Sequence, residues 1–218
     1  MTKGLFITFE GTEGCGKSTQ VELLGQELRR LGYRVRLIRE PGGTLIGEEI
    51  RHTLKHSKNN AAMTAEAELL LMNASRAQLV REIIRPALAA GEIVLCDRFY
   101  DSTTAYQGYG RQLDLKMVRA IVDVAVGETK PDLTLLLTVS PEISAQRRAA
   151  RQATLPGLRD RIEEADQAFF ARVAKGYEAI AAAEPARIKV VDASAAIEAV
   201  CLKIWQHVQP LLPKAGRW

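Results

Sequence analysis

The residues from Gly11 to Ser18, with the sequence GTEGCGKS, combine glycine, lysine and serine at the spacing of a phosphate-binding loop. In the pattern GxxxxGK[ST], the glycines let backbone N–H groups turn toward an anion, and the N-terminus of a following helix adds its dipole. Lys17 is then placed to contact the β- and γ-phosphates of a nucleotide, and the Ser18 hydroxyl to face Mg²⁺. The residues of this predicted phosphate loop are Gly11, Thr12, Glu13, Gly14, Cys15, Gly16, Lys17 and Ser18.

Two residues of the loop need a separate explanation. Glu13 places an acid where an anion should bind, so its carboxylate must serve something other than the phosphate. The Cys15 thiol lies at the head of a predicted helix near Lys17, and both features favour a reactive thiolate. The alternative is that Cys15 is a small residue that fills a tight loop.

The elements around the loop predict how it is positioned. Apolar, β-branched runs predict five strands, at residues 5–9, 35–39, 93–97, 133–139 and 188–191. The spacing of apolar residues predicts helices at about 21–31, 45–54, 64–89 (capped by Thr64 and kinked near Pro86), 115–126, 161–183 and 194–208, and one after Pro141. This alternation predicts an α/β fold of the P-loop NTP-hydrolase type, with a five-stranded, mainly parallel sheet covered by helices on both faces.

Further candidate residues lie at the carboxyl ends of these strands, where such sheets bind ligands. Asp97 ends an apolar strand, as does the acid that organises Mg²⁺ in phosphate-loop proteins, and Arg98 adds a cation. A surface ion pair is the alternative for these two residues. Met72 and Arg76 lie one turn apart on the third helix. They predict either a pocket for a flat ligand or a core methionine beside an arginine that pairs with a protein carboxylate.

A basic segment is the next candidate. Five arginines fall within residues 147–161, RRAARQATLPGLRDR, which contain a Pro-Gly break between two predicted helices. Such a segment can serve solubility alone. In a phosphate-binding protein it also predicts a lid that closes over transferring phosphates and excludes water.

The composition limits the classes of function. The 218 residues, 47% of them hydrophobic, predict one domain at 1–213, with a lid at about 147–161 and a frayed tail at 214–218. A net charge of +4 without a polybasic block argues against a nucleic-acid-binding protein. The sequence has no apolar run near 18 residues, so we expect no membrane span. Three cysteines without a C-x-x-C pattern predict a cytoplasmic protein.

The chain resembles the bacterial thymidylate kinases over nearly its whole length. The motifs that carry the resemblance are, in order, FEGTEGCGKST, REPGGT, LLLMNASRAQLV, DRFYDSTTAYQG, KPDLTLLLTV and RDRIE. The resemblance implies transfer of the γ-phosphoryl group of ATP to thymidine monophosphate (dTMP), with Mg²⁺, by a homodimer. It also implies that Glu13 serves the acceptor nucleotide through its sugar hydroxyl, with Lys17, Arg98 and Mg²⁺ offsetting its charge.

The resemblance also implies roles for single residues. Arg98 holds the phosphate of the acceptor, while Asp97 and Ser18 belong to the Mg²⁺ environment. Arg76 bonds the thymine carbonyl, and Tyr106 disfavours a ribose hydroxyl. The residues implied to bind dTMP are Glu13, Arg39, Arg51, Met72, Arg76, Arg98, Ser102, Thr103, Tyr106 and Gln107. Lys17, Asp97 and Arg98 are implied to act in catalysis, and Asp160 and Glu163 match acids beside the lid.

Two positions depart from the family pattern. Gly14 stands where one branch of the family carries a catalytic arginine, which implies the branch whose lid supplies that cation, with Arg147, Arg148 and Arg151 as candidates. Met72 stands where the family usually has a phenylalanine against the base. The remaining alternatives are another deoxynucleoside monophosphate kinase and a non-catalytic P-loop switch, although the sequence lacks the N-K-x-D and D-x-x-G signatures of GTPase switches.

Overall fold

The computed structural model describes residues 4–154, 161–162 and 165–213, with the backbone alone at 148 and 151–154. Its centre is a five-stranded sheet in the order β2-β3-β1-β4-β5, and all four strand pairings are parallel. The strands are β1 (Leu5–Glu10), β2 (Val35–Arg39), β3 (Ile93–Asp97), β4 (Leu133–Thr138) and β5 (Ile188–Asp192). The predicted fold class is therefore confirmed, and the sheet is parallel throughout.

Helices cover both faces of this sheet. They are α1 (Lys17–Arg30), α2 (Leu45–Lys55), α3 (Ala65–Leu79), α4 (Arg85–Ala89), α5 (Tyr100–Thr103), α6 (Leu115–Val126), α7 (Pro141–Thr154), α8 (Gln167–Ala183) and α9 (Ile197–Val208). Consecutive strand residues point to opposite faces, so Ile7 packs with Leu28 of α1 and Ile204 of α9, whereas Phe6 packs with Leu79 of α3 and Val122 of α6. None of the helices in the described residues combines the length and apolar character needed to cross a membrane.

Two predicted helix starts were wrong, and the long third helix has its predicted bounds with an interruption inside them. The long third helix begins after Thr64, whose side chain accepts a hydrogen bond from the Ala67 N–H, but it is interrupted by a π-helical turn, Val80–Ile84, just before Pro86. A proline lacks an N–H and crowds the carbonyl four residues back, so an inserted residue relieves both conflicts. The predicted helix at 161–183 starts only at Gln167, and the one at 194–208 starts at Ile197.

One helical stretch was not predicted. Residues after β3 form α5 and then a π-helical turn, Thr104–Gly110, which packs closely on α8. At Gly110 an added Cβ would lie 2.6 Å from a Phe169 ring carbon, and at Gly176 it would lie 2.9 Å from Tyr109. Glycine at both positions therefore permits the close approach that fixes this turn beside the carboxyl edge of the sheet.

Candidate active site

The phosphate loop joins β1 to α1 at the carboxyl edge of the sheet. Gly16, at φ 93°, precedes the helix, and no side chain of the described residues caps the N-terminus of α1. The first N–H groups of a helix have no partner within the helix, so this terminus suits an anion. Lys17 is buried, and its Nζ donates to the carbonyl oxygens of Gly11 (3.2 Å) and Thr12 (3.0 Å).

Ser18 and Asp97 are in contact at the same edge. The strand register places Asp97 beside Phe9 of β1, and the Ser18 hydroxyl donates to Asp97 Oδ2 at 2.5 Å. Ser18 and Asp97 are the two residues predicted to bind Mg²⁺. A hydroxyl and a carboxylate beside a phosphate loop match the oxygen ligands that Mg²⁺ uses together with nucleotide phosphates.

Arg98 lies at the centre of the site. Its Nη2 donates to Glu13 Oε1 at 2.6 Å, and its Nη1 donates to the Gly11 carbonyl at 3.0 Å. Burial alone would lower the pKa of Arg98, but the charge of Glu13 and neighbouring groups raises it well above its ordinary value. Its backbone has φ 71°, a left-handed conformation that a non-glycine residue adopts at a cost of about 1–3 kcal/mol. In this structure, Glu13 is therefore the ion-pair partner of the cation beside the phosphate loop.

Glu10, at the end of β1, was missed in the sequence. Its wholly buried carboxylate accepts hydrogen bonds from the Phe99 N–H (2.7 Å), the Ser102 hydroxyl (2.6 Å) and the Tyr177 hydroxyl (2.9 Å). Burial, and then the charge of Asp101, raise its pKa to about 7, against opposing effects of Arg98 and of the hydrogen bonds. One signal in the sequence could have identified Glu10: it is an acid at the end of β1, a strand whose six residues are all buried.

Glu10 predicts a pH dependence of stability. Between pH 4.5 and about 7, the folded state keeps a proton that the unfolded state has lost, so the free energy of unfolding falls as pH rises. The loss amounts to about 3 kcal/mol. Glu10→Gln should remove this slope, as measured by urea unfolding at pH 4.5, 5.5 and 7.5. The exposed Glu22→Gln is the control, and a Glu10→Gln protein that keeps the parent slope would refute the assignment.

Beside the loop lies a half-open pocket, whose empty space of about 440 Å³ includes solvent at its mouth. Its lining includes eight of the ten residues predicted to bind the acceptor. Within the described part of the chain, the lining is Glu13, Glu40, Pro41, Lys55, Met72, Arg76, Arg98, Ser102, Thr103, Tyr106, Gln107 and Ile162. The two predicted residues outside it are exposed Arg39, which pairs with Glu48, and Arg51, which donates to the Pro41 carbonyl at 2.8 Å.

Arg76 combines both of the roles that the sequence allowed. It lines the pocket, and it also forms a buried ion pair with Glu40, with Nη2 2.7 Å from Glu40 Oε2. The remaining N–H groups donate to the carbonyl of Phe99 and to the side chains of Asn73 and Thr103, so all five have protein acceptors. A ligand carbonyl that bonds Arg76 must therefore share one of these donors.

Glu40 is the second acid that was missed. Burial raises its pKa, and Arg76 opposes that rise. Its Oε2 takes both bonds from Arg76, while its buried Oε1 has no partner in the described residues. Glu40 therefore holds the Arg76 guanidinium in place at the pocket wall.

Helix α7 packs directly on the phosphate loop. The Ser144 hydroxyl donates to the Glu13 carbonyl at 2.7 Å, and Arg147 Nη1 donates to the Gly14 carbonyl at 3.3 Å. Gly14 has φ 77°, and a Cβ there would lie 3.0 Å from the Ser144 carbonyl oxygen. A side chain at position 14 is therefore both strained and crowded. Arg159, Asp160 and Glu163, and the side chains of Arg148 and Arg151, lie outside the described residues.

The Cys15 side chain is 1% exposed and belongs to the apolar cluster around β1, with its sulfur 3.5 Å from Lys17 Nζ. This burial favours the packing role over the reactive thiol. We therefore expect an alkylating reagent to modify the partly exposed Cys201 before Cys15, as mapped by mass spectrometry of the folded protein. Faster labelling of Cys15, with protection by ATP, would reverse this interpretation.

The parallel sheet, with its phosphate loop after β1, an acid and an arginine after β3, and a pocket beside them, defines a P-loop protein of the nucleotide kinase class. A family model described as "Thymidylate kinase" matches residues 9–204. The chain belongs to the thymidylate kinase family.

Individual relatives agree with this assignment. The thymidylate kinase of Synechococcus sp. (strain JA-2-3B'a(2-13)) is 46% identical over 211 residues, which are 97% of each chain. That of Exiguobacterium sp. (strain ATCC BAA-1283 / AT1b) is 44% identical over 213 residues, 98% of each chain. The crystal structure of thymidylate kinase from Ehrlichia chaffeensis matches with a TM-score of 0.75 and 34% identity, over 95% of this chain and 99% of that one.

Proposed function

We propose that this protein transfers the γ-phosphoryl group of ATP to dTMP, giving dTDP and ADP. The observation that carries the proposal is the Glu13–Arg98 ion pair, which lies between the phosphate loop and the pocket and lines the pocket itself. A donor phosphate on the loop and an acceptor phosphate on Arg98 would meet at this point. Positioning and charge stabilisation are what phosphoryl transfer requires from a protein.

On the donor side, the backbone of Gly11–Ser18 and the Lys17 ammonium would hold the ATP phosphates. Lys17 now donates to two loop carbonyls, so its ammonium is already within the loop that the phosphates would enter. Ser18 and Asp97 would hold Mg²⁺, which, when bound, neutralises charge that develops on the transferring phosphoryl group.

On the acceptor side, Arg98 would hold the dTMP phosphate, and Met72, Arg76, Thr103 and Gln107 would surround the base. Arg98 Nη2 also lies 3.2 Å from the Tyr106 hydroxyl. This hydrogen bond supports the proposal that the Tyr106 ring is held in a fixed position against the sugar. Ser102 would hold Arg98 from the opposite side, through a bond of 3.0 Å to Nη1. Arg39 and Arg51 would act from outside the pocket wall, Arg51 through Pro41.

We also propose one domain at 1–213, whose segment at about 147–161 is a lid that supplies the catalytic cation. The contact between Arg147 and the Gly14 carbonyl supports this role, because it brings a lid arginine to the phosphate loop. The crowding at Gly14 supports it too, since a cation needed there must come from another element. Arg148 and Arg151 remain candidates beside Arg147.

A cytoplasmic homodimer is the proposed assembly. Helices α2, α3 and α6 are neighbours, and they expose six large apolar side chains: Leu45, Ile46, Leu70, Leu115, Met117 and Val124. A second copy that covers these side chains would remove them from water. Sedimentation equilibrium should therefore give twice the chain mass of 24.0 kDa, and a monomer at micromolar concentration would refute the dimer.

The test of function is an assay of ADP production with ATP, Mg²⁺ and a panel of nucleoside monophosphates. We expect dTMP to be the best acceptor, deoxyuridine monophosphate (dUMP) to be weaker and deoxycytidine monophosphate (dCMP) to be rejected. A different best acceptor would make the protein another deoxynucleoside monophosphate kinase. A folded protein that phosphorylates no acceptor would leave the non-catalytic P-loop switch.

A further inference from the structure

Glu68 on α3 is a wholly buried acid for which the proposed reaction gives no role. Its Oε1 accepts a hydrogen bond of 2.7 Å from Gln107 Nε2, and Gln107 lines the pocket. The two residues are 39 positions apart in the chain, so the fold alone brings them together. The contact connects a buried carboxylate to a side chain that faces the ligand.

This contact fixes the direction of the Gln107 amide. An ionised carboxylate only accepts hydrogen bonds, so the NH₂ end of the amide must face Glu68 and the carbonyl Oε1 must face away. Gln107 is 2% exposed, and no donor in the described part of the chain bonds its Oε1. The pocket wall therefore presents a hydrogen-bond acceptor at this position.

Two arginines hold Glu68 in this orientation. Arg111 Nη2 donates to Glu68 Oε2 at 3.0 Å, and Arg161 Nη2 donates to the same oxygen. Arg111 follows the π-helical turn that carries Gln107, whereas Arg161 precedes α8. The carboxylate is thus bound from two sides by cations, which leaves the bond to Gln107 little freedom to change.

An acceptor at the pocket wall distinguishes between pyrimidine bases. Thymine and uracil carry an N–H at ring position N3, whereas cytosine has an unprotonated acceptor nitrogen there. We infer that Glu68 is a positioning residue for base selectivity: it holds the Gln107 carbonyl toward the base, where it accepts the N3–H of thymine and faces the N3 lone pair of cytosine. This inference rests on the proposed function, because it names how the same pocket selects its acceptor.

The test is Glu68→Gln, measured as kcat/KM for dTMP, dUMP and dCMP. A glutamine at position 68 turns its oxygen toward the two arginines, so its NH₂ faces Gln107 and reverses that amide. The expected result is at least a tenfold fall in the ratio of kcat/KM for dTMP to kcat/KM for dCMP. A change of this size corresponds to the net contribution of about one hydrogen bond. The dTMP:dUMP ratio should not change, because both bases carry the N3–H.

A second variant covers the case in which Glu68→Gln does not fold. Gln107→Leu keeps the approximate size of the side chain and removes the amide, so it too should lower the dTMP:dCMP ratio. If both single variants fold, Glu68→Gln added to Gln107→Leu should cause no further fall in that ratio. A purely structural role for Glu68 predicts equal losses on all three nucleotides.

Two outcomes are distinguishable. A parent protein that does not prefer dTMP to dCMP overturns the proposed function, and the inference with it. A parent that prefers dTMP, with a ratio that survives Glu68→Gln or Gln107→Leu, overturns the inference alone.

Discussion

Alanine at one of three arginines, Arg147, Arg148 or Arg151, is expected to lower kcat about 10³-fold, which corresponds to about 4 kcal/mol of transition-state stabilisation. Charge spreads over the equatorial oxygens of the phosphoryl group during transfer, and an arginine that contacts them stabilises the transition state more than the bound ATP. The strained and crowded Gly14 offers no place for that cation on the loop. Helix α7 begins directly over the loop and carries all three residues.

The measurement is single-substitution kinetics under saturating ATP and dTMP. Arg30→Ala is the matched control, because it removes the same charge from an exposed position at the far end of α1. The variant that loses turnover should keep its KM for dTMP within a few-fold. If all three variants stay within a few-fold of the parent kcat, the source of the cation is elsewhere.

Arg76→Ala is expected to lower the free energy of unfolding by about 3–5 kcal/mol, because it leaves Glu40 buried without its cation. The Arg76 and Glu40 side chains are 2% and 4% exposed, so the Glu40 carboxylate has lost most of its contact with water and depends on Arg76 for its charge. The same change should raise the KM for dTMP, since the base carbonyl loses its proposed donor. A loss of stability below about 1 kcal/mol would contradict the ion pair described here.

A double variant separates the two effects. Replacing both members, as Glu40→Met with Arg76→Met, leaves no isolated charge, and buried ion pairs replaced by apolar residues often retain their stability. We expect urea unfolding to show recovered stability relative to Arg76→Ala, while the KM for dTMP stays high. Recovery of dTMP binding by the double variant would show that Arg76 acts on the fold and not on the base.

The strands were predictable because parallel strands buried on both faces are continuous apolar runs. Val35–Arg39 and Ile93–Asp97 have their predicted bounds, and each of the other three strands differs by one residue at its end. The stretch from Tyr100 to Gly110 has no such run. Its helical shape depends on contacts with α8, which lies about 60 residues later, so local pattern could not reveal it.

The site residues also divide into those that a local sequence pattern predicts and those that it does not. Glycine, lysine and serine in the loop carry a local pattern, and Asp97 closes a recognisable strand. The acids Glu40 and Glu68 have no local pattern, because their partners are 36 and 39 positions away in the chain, and the only local signal of Glu10 is its place at the end of an apolar strand. Burial of these carboxylates is a property of the folded chain, and the sequence shows only that acids occur at those positions.

The backbone of Arg98 has a consequence for the selection of variants. Its left-handed φ of 71° is a conformation that glycine or asparagine adopts more readily, so either replacement would relieve local strain. Either would also remove the guanidinium that binds Glu13. The strain relieved, about 1–3 kcal/mol, opposes the bonds lost around Arg98, so heat resistance reports poorly on function at this codon, and a selection of variants there must score turnover as well.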